Sequence, residues 1–149
     1  MKPLLILFEG VDKSGKTTLL AEFNKLTNFK HWALDRSFIS SLVYNELFGR
    51  NDKEHYLNIQ EIVKNSFNVV IVYVESDVKL IKERLELHNE LLPKELSNIT
   101  KVKNTYLNYI TNSKIDYIRI NTTNKSIQDC VDTIITKLSK FKKEELWLE

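Results

Sequence analysis

The stretch FEGVDKSGKTT, residues 8–18, constrains this chain more than any other, because the apolar run LLILF leads directly into it. Its fixed positions are Gly10, Gly15, Lys16 and Thr17, in the spacing G-x-x-x-x-G-K-T. A strand, a glycine turn and a helix form a loop whose backbone N–H groups and helix N-terminus converge on an anion. The spacing predicts a P-loop in which Lys16 reaches the β- and γ-phosphates of a nucleoside triphosphate and the Thr17 hydroxyl binds Mg²⁺.

Three further apolar runs alternate with helical periodicity along the chain. Residues 69–74 and 115–120 are continuous β-prone runs, and HWAL, just before Asp35, is a weaker one. Helical stripes between the runs are Leu19, Leu20, Phe23 and Leu26, then Tyr56, Ile59, Ile62 and Val63. Asp77 and Ser126 are the expected N-caps of two later helices. Because strands that alternate with helices indicate βαβ units, we predict one α/β domain over residues 1–149: a doubly wound parallel sheet of four strands, order 2-1-3-4, flanked by helices.

Composition excludes several functional classes. The 149 residues carry a net charge of only +2, which does not favour nucleic acid as a partner. The apolar runs are far too short to cross a bilayer, and the N-terminus does not resemble a secretory signal. One cysteine, Cys130, excludes an internal disulfide and fits a reducing compartment. We expect a cytoplasmic protein that uses a small-molecule nucleotide substrate and contacts neither nucleic acid nor membrane.

The residues that fill the glycine-rich loop resemble the P-loop of thymidylate kinases, which carries a carboxylate and often a basic residue. Here these residues are Asp12 and Lys13. The resemblance implies that Asp12 faces the sugar hydroxyl of the acceptor and that Lys13 stabilises charge on the transferred phosphoryl group. Without the resemblance, Asp12 fits a solvated turn residue, and Glu9 fits a partner of the metal or an ordinary acid at a strand end. The loop residues expected to bind the nucleotide are Gly10, Asp12, Lys13, Ser14, Gly15, Lys16, Thr17 and Thr18.

A second motif, ALDRSFISSLVY at residues 33–44, follows the weaker strand. Thymidylate kinases carry Asp-Arg after a strand, a serine five residues past the Asp and an aromatic residue nine past it. Asp35, Ser40 and Tyr44 match these offsets. Arg36 offers a planar fork to a phosphate. Asp35 can hold Arg36, hold a water on the metal or align the acceptor oxygen. The pair could equally be a structural salt bridge.

Two aromatic residues and another arginine complete the expected acceptor side. Phe38 and Tyr44 could face a nucleobase, although aromatic residues at helical spacing are more often in the core. Arg50, at the end of NELFGR, could reach an acceptor phosphate or lie solvated at a helix end.

Arginine is scarce, with four arginines against 18 lysines, so each position is informative. Arg84 ends VESDVKLIKER, which resembles the thymidylate kinase segment that leads into a flexible lid over the phosphates. That pattern usually has a further arginine four residues on, where this chain has His88. Lys13 therefore suggests that the loop itself meets the transition-state charge, with Arg84 as its helper. Arg119 alternates with apolar neighbours in a strand and is expected to be structural.

Two features lie near the end of the chain. Asn121 begins NTT, at the place where P-loop kinases often pack the adenine of the donor; a helix-capping loop is the alternative. The tail KKEELWLE contains Trp147, which suggests a docking contact, a homodimer contact or simply a chain end.

The resemblance covers nearly the whole chain, but Asp35 follows Lys16 by only 19 residues. A thymidylate kinase has an extra strand and helices in that interval, and these carry much of its base and phosphate recognition. The sequence therefore resembles a shortened thymidylate kinase. This implies ATP- and Mg²⁺-dependent phosphoryl transfer to a deoxynucleoside monophosphate such as dTMP, giving the diphosphate. Two alternatives stay open. One is a deoxynucleoside 5′-kinase, a family that favours Glu-Arg-Ser where this chain has the similar triplet DRS, and the other is a P-loop protein that binds nucleotide without turnover.

Overall fold

A computed structural model describes residues 2–141, so the tail that contains Trp147 lies outside the described residues. Within this range strands and helices alternate as predicted. The strands are β1 Leu4–Glu9, β2 Trp32–Asp35, β3 Asn68–Glu75 and β4 Asp116–Asn121. The helices are α1 Lys16–Leu26, α2 Phe38–Leu47, α3 Lys53–Ser66, α4 Val78–Leu87, α5 Ile99–Asn112 and α6 Ile127–Phe141. A 3₁₀ turn, Lys94–Leu96, lies between α4 and α5.

The four strands form one parallel sheet in the order β2-β1-β3-β4, which confirms the predicted topology. Phe8 pairs with Asp35 across β1 and β2, and Glu75 pairs with Asn121 across β3 and β4. Because all four strands run in the same direction, their carboxyl ends lie along one edge of the sheet. In sheets of this type ligands bind at that edge.

The core lies on both faces of the sheet. Leu5 and Leu7 of β1 face a cluster with α2, α4 and α5, whereas Leu4, Ile6 and Phe8 face a cluster with α1 and α6. Side chains alternate between the two faces along a strand, so a strand covered on both sides is apolar at every position. This burial explains the unbroken run LLILF.

Two residues of the predicted helical stripes are exposed, and the cap predictions are confirmed in part. Leu26 and Ile62 are 42% and 64% exposed. Leu26 is the last residue of α1, and Ile62 is on the outer side of α3. Ser126 Oγ accepts the N–H of Asp129 at 3.0 Å and caps α6. Asp77 occupies the N-cap position of α4, but its side chain makes no capping hydrogen bond.

Among the described residues, none of the helices combines the length and the apolar character that a membrane span requires.

Candidate active site

The loop between β1 and α1 lies directly against β3. A Cβ atom at Gly10 would clash with the carbonyl oxygen of Val74. Gly15 has φ 96° at the N-cap of α1, a left-handed conformation that favours glycine. The two glycines of the motif are therefore required by close approach in one case and by backbone conformation in the other.

Hydrogen bonds from residues that directly follow β3 and β4 hold this loop in place. Ser76 Oγ and Thr122 Oγ1 both donate to the carbonyl oxygen of Ser14, at 2.9 and 2.7 Å. Arg84 Nη1 donates to the carbonyl oxygen of Lys13 at 2.5 Å. Ser14, which we predicted to bind the nucleotide, is fully buried, and its hydroxyl has no hydrogen-bond partner among the described residues.

A cavity of about 610 Å³ opens above the loop, and we call it the P-loop cavity. Its volume lies in the range of small-molecule sites. The predicted site residues on its wall are Asp12, Lys13, Gly15, Lys16, Thr17, Thr18 and Arg84. The wall also includes residues that we did not predict as site residues: Val11, Leu19, His88, Glu90, Thr122, Lys125, Ile127 and Cys130.

Asn121 is not on that wall. Its side-chain oxygen accepts the N–H of Thr123 at 2.9 Å, and its amide lies 3.4 Å from Asp77. The side chain of Asn121 therefore holds the loop after β4 instead of facing the cavity. Thr122, one residue further along NTT, has its side chain against the P-loop. No motif in the sequence marked Ile127 and Cys130 of α6, which also lie on the wall of the P-loop cavity.

Three cations predicted to meet phosphate each pair with a carboxylate. The pairs are Lys16 with Asp35, Lys13 with Glu90 at 2.7 Å, and Arg36 with Asp12 at 2.5 Å. Arg84 has neutral acceptors instead, the carbonyl oxygen of Lys13 and the hydroxyl of Ser76. An anion that enters the P-loop cavity can therefore exchange with a carboxylate at Lys13 and at Lys16.

Asp35 and Arg36 are neighbours in sequence but have different partners. We expected that Asp35 could hold Arg36; the structure places it on Lys16 instead, with the Thr17 hydroxyl 3.5 Å from its second oxygen. Arg36 has φ 70°, an uncommon conformation for a residue with a side chain, and its N–H donates to the Phe8 carbonyl oxygen at 2.9 Å. This turn directs the two side chains apart.

The oxygens of Thr17 and Asp35 fit a magnesium site in type. Mg²⁺ is bound through oxygen, commonly by one or two carboxylates together with substrate phosphates. Among residues 2–141, no group of three or more His, Cys, Asp or Glu side chains could hold a metal by itself. A cation at Thr17 and Asp35 would therefore need phosphate oxygens to complete its coordination.

Three hydroxyl groups hold the Arg36 guanidinium. Its Nη1 lies 2.6 Å from Tyr44 Oη, 2.9 Å from Tyr106 Oη and 3.3 Å from Ser40 Oγ. Burial acts to lower the pKa of Arg36, but the two phenol groups and Asp12 raise it overall, so the side chain stays charged. Tyr106 is on α5, 70 residues away in sequence, and no local pattern marked it as a site residue.

Glu9, at the end of β1, holds the start of α2 beside the Arg36 guanidinium. Its carboxylate is fully buried and accepts the N–H and hydroxyl groups of Ser37 at 3.1 and 2.8 Å, and those of Ser40 at 3.0 and 2.6 Å. A carboxylate at this position satisfies N–H groups at the start of α2. Burial raises the pKa of Glu9 above its ordinary value. The structure thus places Glu9 beneath α2, in contact with both serines.

A second cavity, of about 430 Å³, lies beside Arg36, and we call it the arginine cavity. Its wall consists of Arg36, Ser37, Ser40, Ser41, Tyr44, Arg50 and Tyr56. Four predicted acceptor residues are in this set: Arg36, Ser40, Tyr44 and Arg50. Phe38 is not, because it is only 6% exposed and packs in the core. Tyr44 is therefore the member of this aromatic pair that reaches the cavity.

Comparison with solved structures shows that the chain has the P-loop kinase fold. The YorR protein from Bacillus subtilis, in complex with phosphorylated GDP, superposes with a TM-score of 0.69 at 19% identity, over 91% of this chain and 95% of that one. Thymidylate kinase from Candida albicans superposes with a TM-score of 0.59 at 18% identity, over 95% of this chain and 93% of that one. Deoxyadenosine kinase from M. mycoides, with bound dCTP, superposes with a TM-score of 0.60 at 14% identity, over 94% of this chain and 100% of that one. No protein-family model matches the sequence, and neither does any curated protein.

Proposed function

We propose that this chain is a kinase that transfers the γ-phosphoryl group of ATP to a deoxynucleoside monophosphate such as dTMP, giving the diphosphate. The observation that carries the proposal is the meeting point of the two cavities. Asp12 lies on the wall of the P-loop cavity, Arg36 lies on the wall of the arginine cavity, and the two side chains form an ion pair at 2.5 Å. A donor in one cavity and an acceptor in the other would meet at this pair.

On the donor side, the loop backbone and Lys16 would hold the β- and γ-phosphates. Lys13 and Arg84 would meet the charge that develops on the transferred group. Bound Mg²⁺, at Thr17 and Asp35, would supply neutralisation of phosphate charge. In this arrangement phosphate oxygens replace Asp35 and Glu90 as the partners of the two lysines.

On the acceptor side, two arginines favour an anion. Arg36 and Arg50 both lie on the arginine cavity, and a guanidinium fork fits a phosphate well. A nucleoside would bring only hydroxyl groups to these two cations. The monophosphate is therefore the better match, with Asp12 free to accept a hydrogen bond from the sugar 3′-hydroxyl.

The transfer itself needs positioning more than covalent chemistry. The bond between the γ-phosphorus and the β,γ-bridging oxygen breaks, a bond from the acceptor phosphate oxygen to that phosphorus forms, and ADP leaves. Because both reactants are anions, catalysis depends on fixed cations and on holding the reacting atoms in line.

An acceptor panel tests the proposal. The protein is incubated with ATP and Mg²⁺ and, in separate reactions, with four deoxynucleoside monophosphates, thymidine and a 5′-hydroxyl oligonucleotide; products are separated by ion-exchange chromatography. We expect a diphosphate from at least one monophosphate. A better turnover of thymidine than of dTMP would establish the 5′-kinase instead. Nucleotide binding without any product would establish a binding protein.

A second experiment examines Asp12. A carboxylate that accepts a bond from the 3′-hydroxyl is left unpaired by a 2′,3′-dideoxy monophosphate, and an unpaired polar group is costly. We expect the dideoxy analogue to be the poorer substrate and Asp12→Ala to remove most of that difference in kcat/KM. An equal loss with both substrates would show that Asp12 serves the loop or Arg36 instead.

A further inference from the structure

Glu90 differs from the other two acidic residues that form ion pairs with cations near the P-loop cavity. Asp35 lies beside the Thr17 hydroxyl, where the proposed function places a metal ion. Asp12 lies at the junction of the two cavities, where the proposed function places the acceptor sugar. Glu90 has no such second partner in the proposed complex. It pairs with Lys13 at 2.7 Å and lies on the cavity wall itself.

The backbone around Glu90 holds its carboxylate at this place. Asn89 has φ 52° and ends the helical course of α4, and the N–H of Glu90 donates back to the Leu85 carbonyl oxygen at 2.9 Å. His88 and Arg84, from the same part of the chain, lie on the same wall. Glu90 is therefore attached to the end of α4 and faces the loop that would receive the triphosphate.

We propose that Glu90 is a positioning residue that competes with the γ-phosphate of the donor for Lys13. The inference rests on the proposed function, which assigns the nucleotide to the P-loop cavity. Lys13 is paired with Glu90 when the γ-phosphate is absent, and it exchanges Glu90 for the phosphate when ATP binds. After transfer the γ-phosphate is gone, and Lys13 returns to Glu90 while ADP is still bound.

This exchange affects ATP and ADP differently, and that difference is the test. Breaking the pair opposes the binding of ATP, which needs Lys13, but not the binding of ADP, which lacks the γ-phosphate. Both side chains are partly exposed, at 27% for Lys13 and 46% for Glu90, and ion pairs of this kind have small effects, so the change will be about twofold to fivefold.

The experiment uses isothermal titration of the whole chain with the β,γ-imido analogue of ATP and with ADP, both with Mg²⁺ and without acceptor. We expect Glu90→Gln to lower the Kd of the ATP analogue about twofold to fivefold and to leave the Kd of ADP nearly unchanged. The gain should shrink at high salt, because the pair is open to solvent. The matched control is Glu86→Gln, which removes an acid from the exposed side of α4 and should change neither Kd.

A double-mutant cycle separates competition for Lys13 from general repulsion. In a Lys13→Gln background, Glu90→Gln should give no further gain. Equal gains in both backgrounds, or equal gains for the ATP analogue and ADP, would overturn the role of Glu90 while the proposed function stands. An unchanged Kd in Glu90→Gln, with binding by the natural chain intact, would do the same. Failure of the natural chain to bind either nucleotide would overturn both proposals.

Discussion

The two cavities that meet at the Asp12–Arg36 pair are built from different parts of the chain. The P-loop cavity takes most of its predicted wall from one continuous stretch, and much of what that stretch offers is backbone. The arginine cavity is lined by side chains of α2 and α3 and of the connections beside α2, and Tyr106 of α5 helps to fix its central arginine. A local motif specifies the first, whereas the second exists only once the helices have packed.

This difference has a consequence for mutation. Backbone N–H groups stay in place when a neighbouring side chain changes, so one charged side chain, Lys16, should dominate the sensitivity of the donor side. The proposed acceptor side depends on the Arg36 guanidinium, which three hydroxyl groups hold, so its sensitivity to mutation should be spread over several residues. The predictions below test this contrast.

The largest effect is expected from Lys16→Ala. Under the proposed function this change removes a fixed cation from the transferring phosphate, which should lower kcat by at least about 100-fold. The protein should stay folded, because Asp35, the acid left without its partner, has a side chain that is 41% exposed to water. Steady-state kinetics and thermal denaturation measure both effects, and Lys25→Ala, near the other end of α1, is the control. An unchanged kcat would show that the P-loop motif takes no part in the reaction.

Arg36→Lys should weaken the use of the acceptor without affecting the donor. The lysine keeps the charge but loses the fork, so kcat/KM for the acceptor should fall about tenfold or more while the Kd of ATP is unchanged. Arg119→Lys is the control for the substitution type, because Arg119 pairs with Glu75 and lies on neither cavity wall. A parallel loss of ATP binding would mean that the two cavities are not separate in function.

Tyr106→Phe should have a smaller effect of the same kind. It deletes one hydroxyl 2.9 Å from the charged guanidinium, but Tyr44 and Ser40 still accept from the same nitrogen. The net loss should therefore be about 1 kcal/mol, and kcat/KM for the acceptor should fall about fivefold. Tyr109→Phe is the matched control on the same helix, because that hydroxyl donates to Glu46 at 2.7 Å. If both variants change kcat/KM for the acceptor equally, the sensitivity of the acceptor side to mutation is not spread over several residues as we infer.

The smallest effect concerns Glu9, which is next to the P-loop in sequence but supports α2. Burial raises the pKa of Glu9 above 4.5, so the folded chain holds the proton more tightly than the unfolded chain. The contribution to stability is present below pH 4.5 and is lost as the pH rises through the raised pKa. Relative to Glu9→Gln, the free energy of unfolding of the natural chain should therefore fall across this window and then level off. Urea denaturation at several pH values measures it, and parallel curves would contradict it.

The sequence was sufficient for the strand order and for the residues around Lys16, because buried strands and glycine turns leave local patterns. It was insufficient where contacts join distant elements. The partner of Asp35 depended on the left-handed turn at Arg36, and the contact between Arg36 and Tyr106 spans 70 residues. Phe38 lies in the core although its spacing also allowed a site position. No motif contains Glu90, so its pairing with Lys13 was open until the end of α4 was placed.

The left-handed turn at Arg36 also joins the two sides of the proposed site. Under the proposed function Asp35 belongs to the donor side and Arg36 to the acceptor side. One trans peptide unit joins them, with about 3.8 Å between their Cα atoms. Under the proposed function, a displacement of the donor that moves Asp35 also moves the arginine that holds the acceptor. The Cα atoms of the two residues therefore keep the same separation when the surrounding helices move.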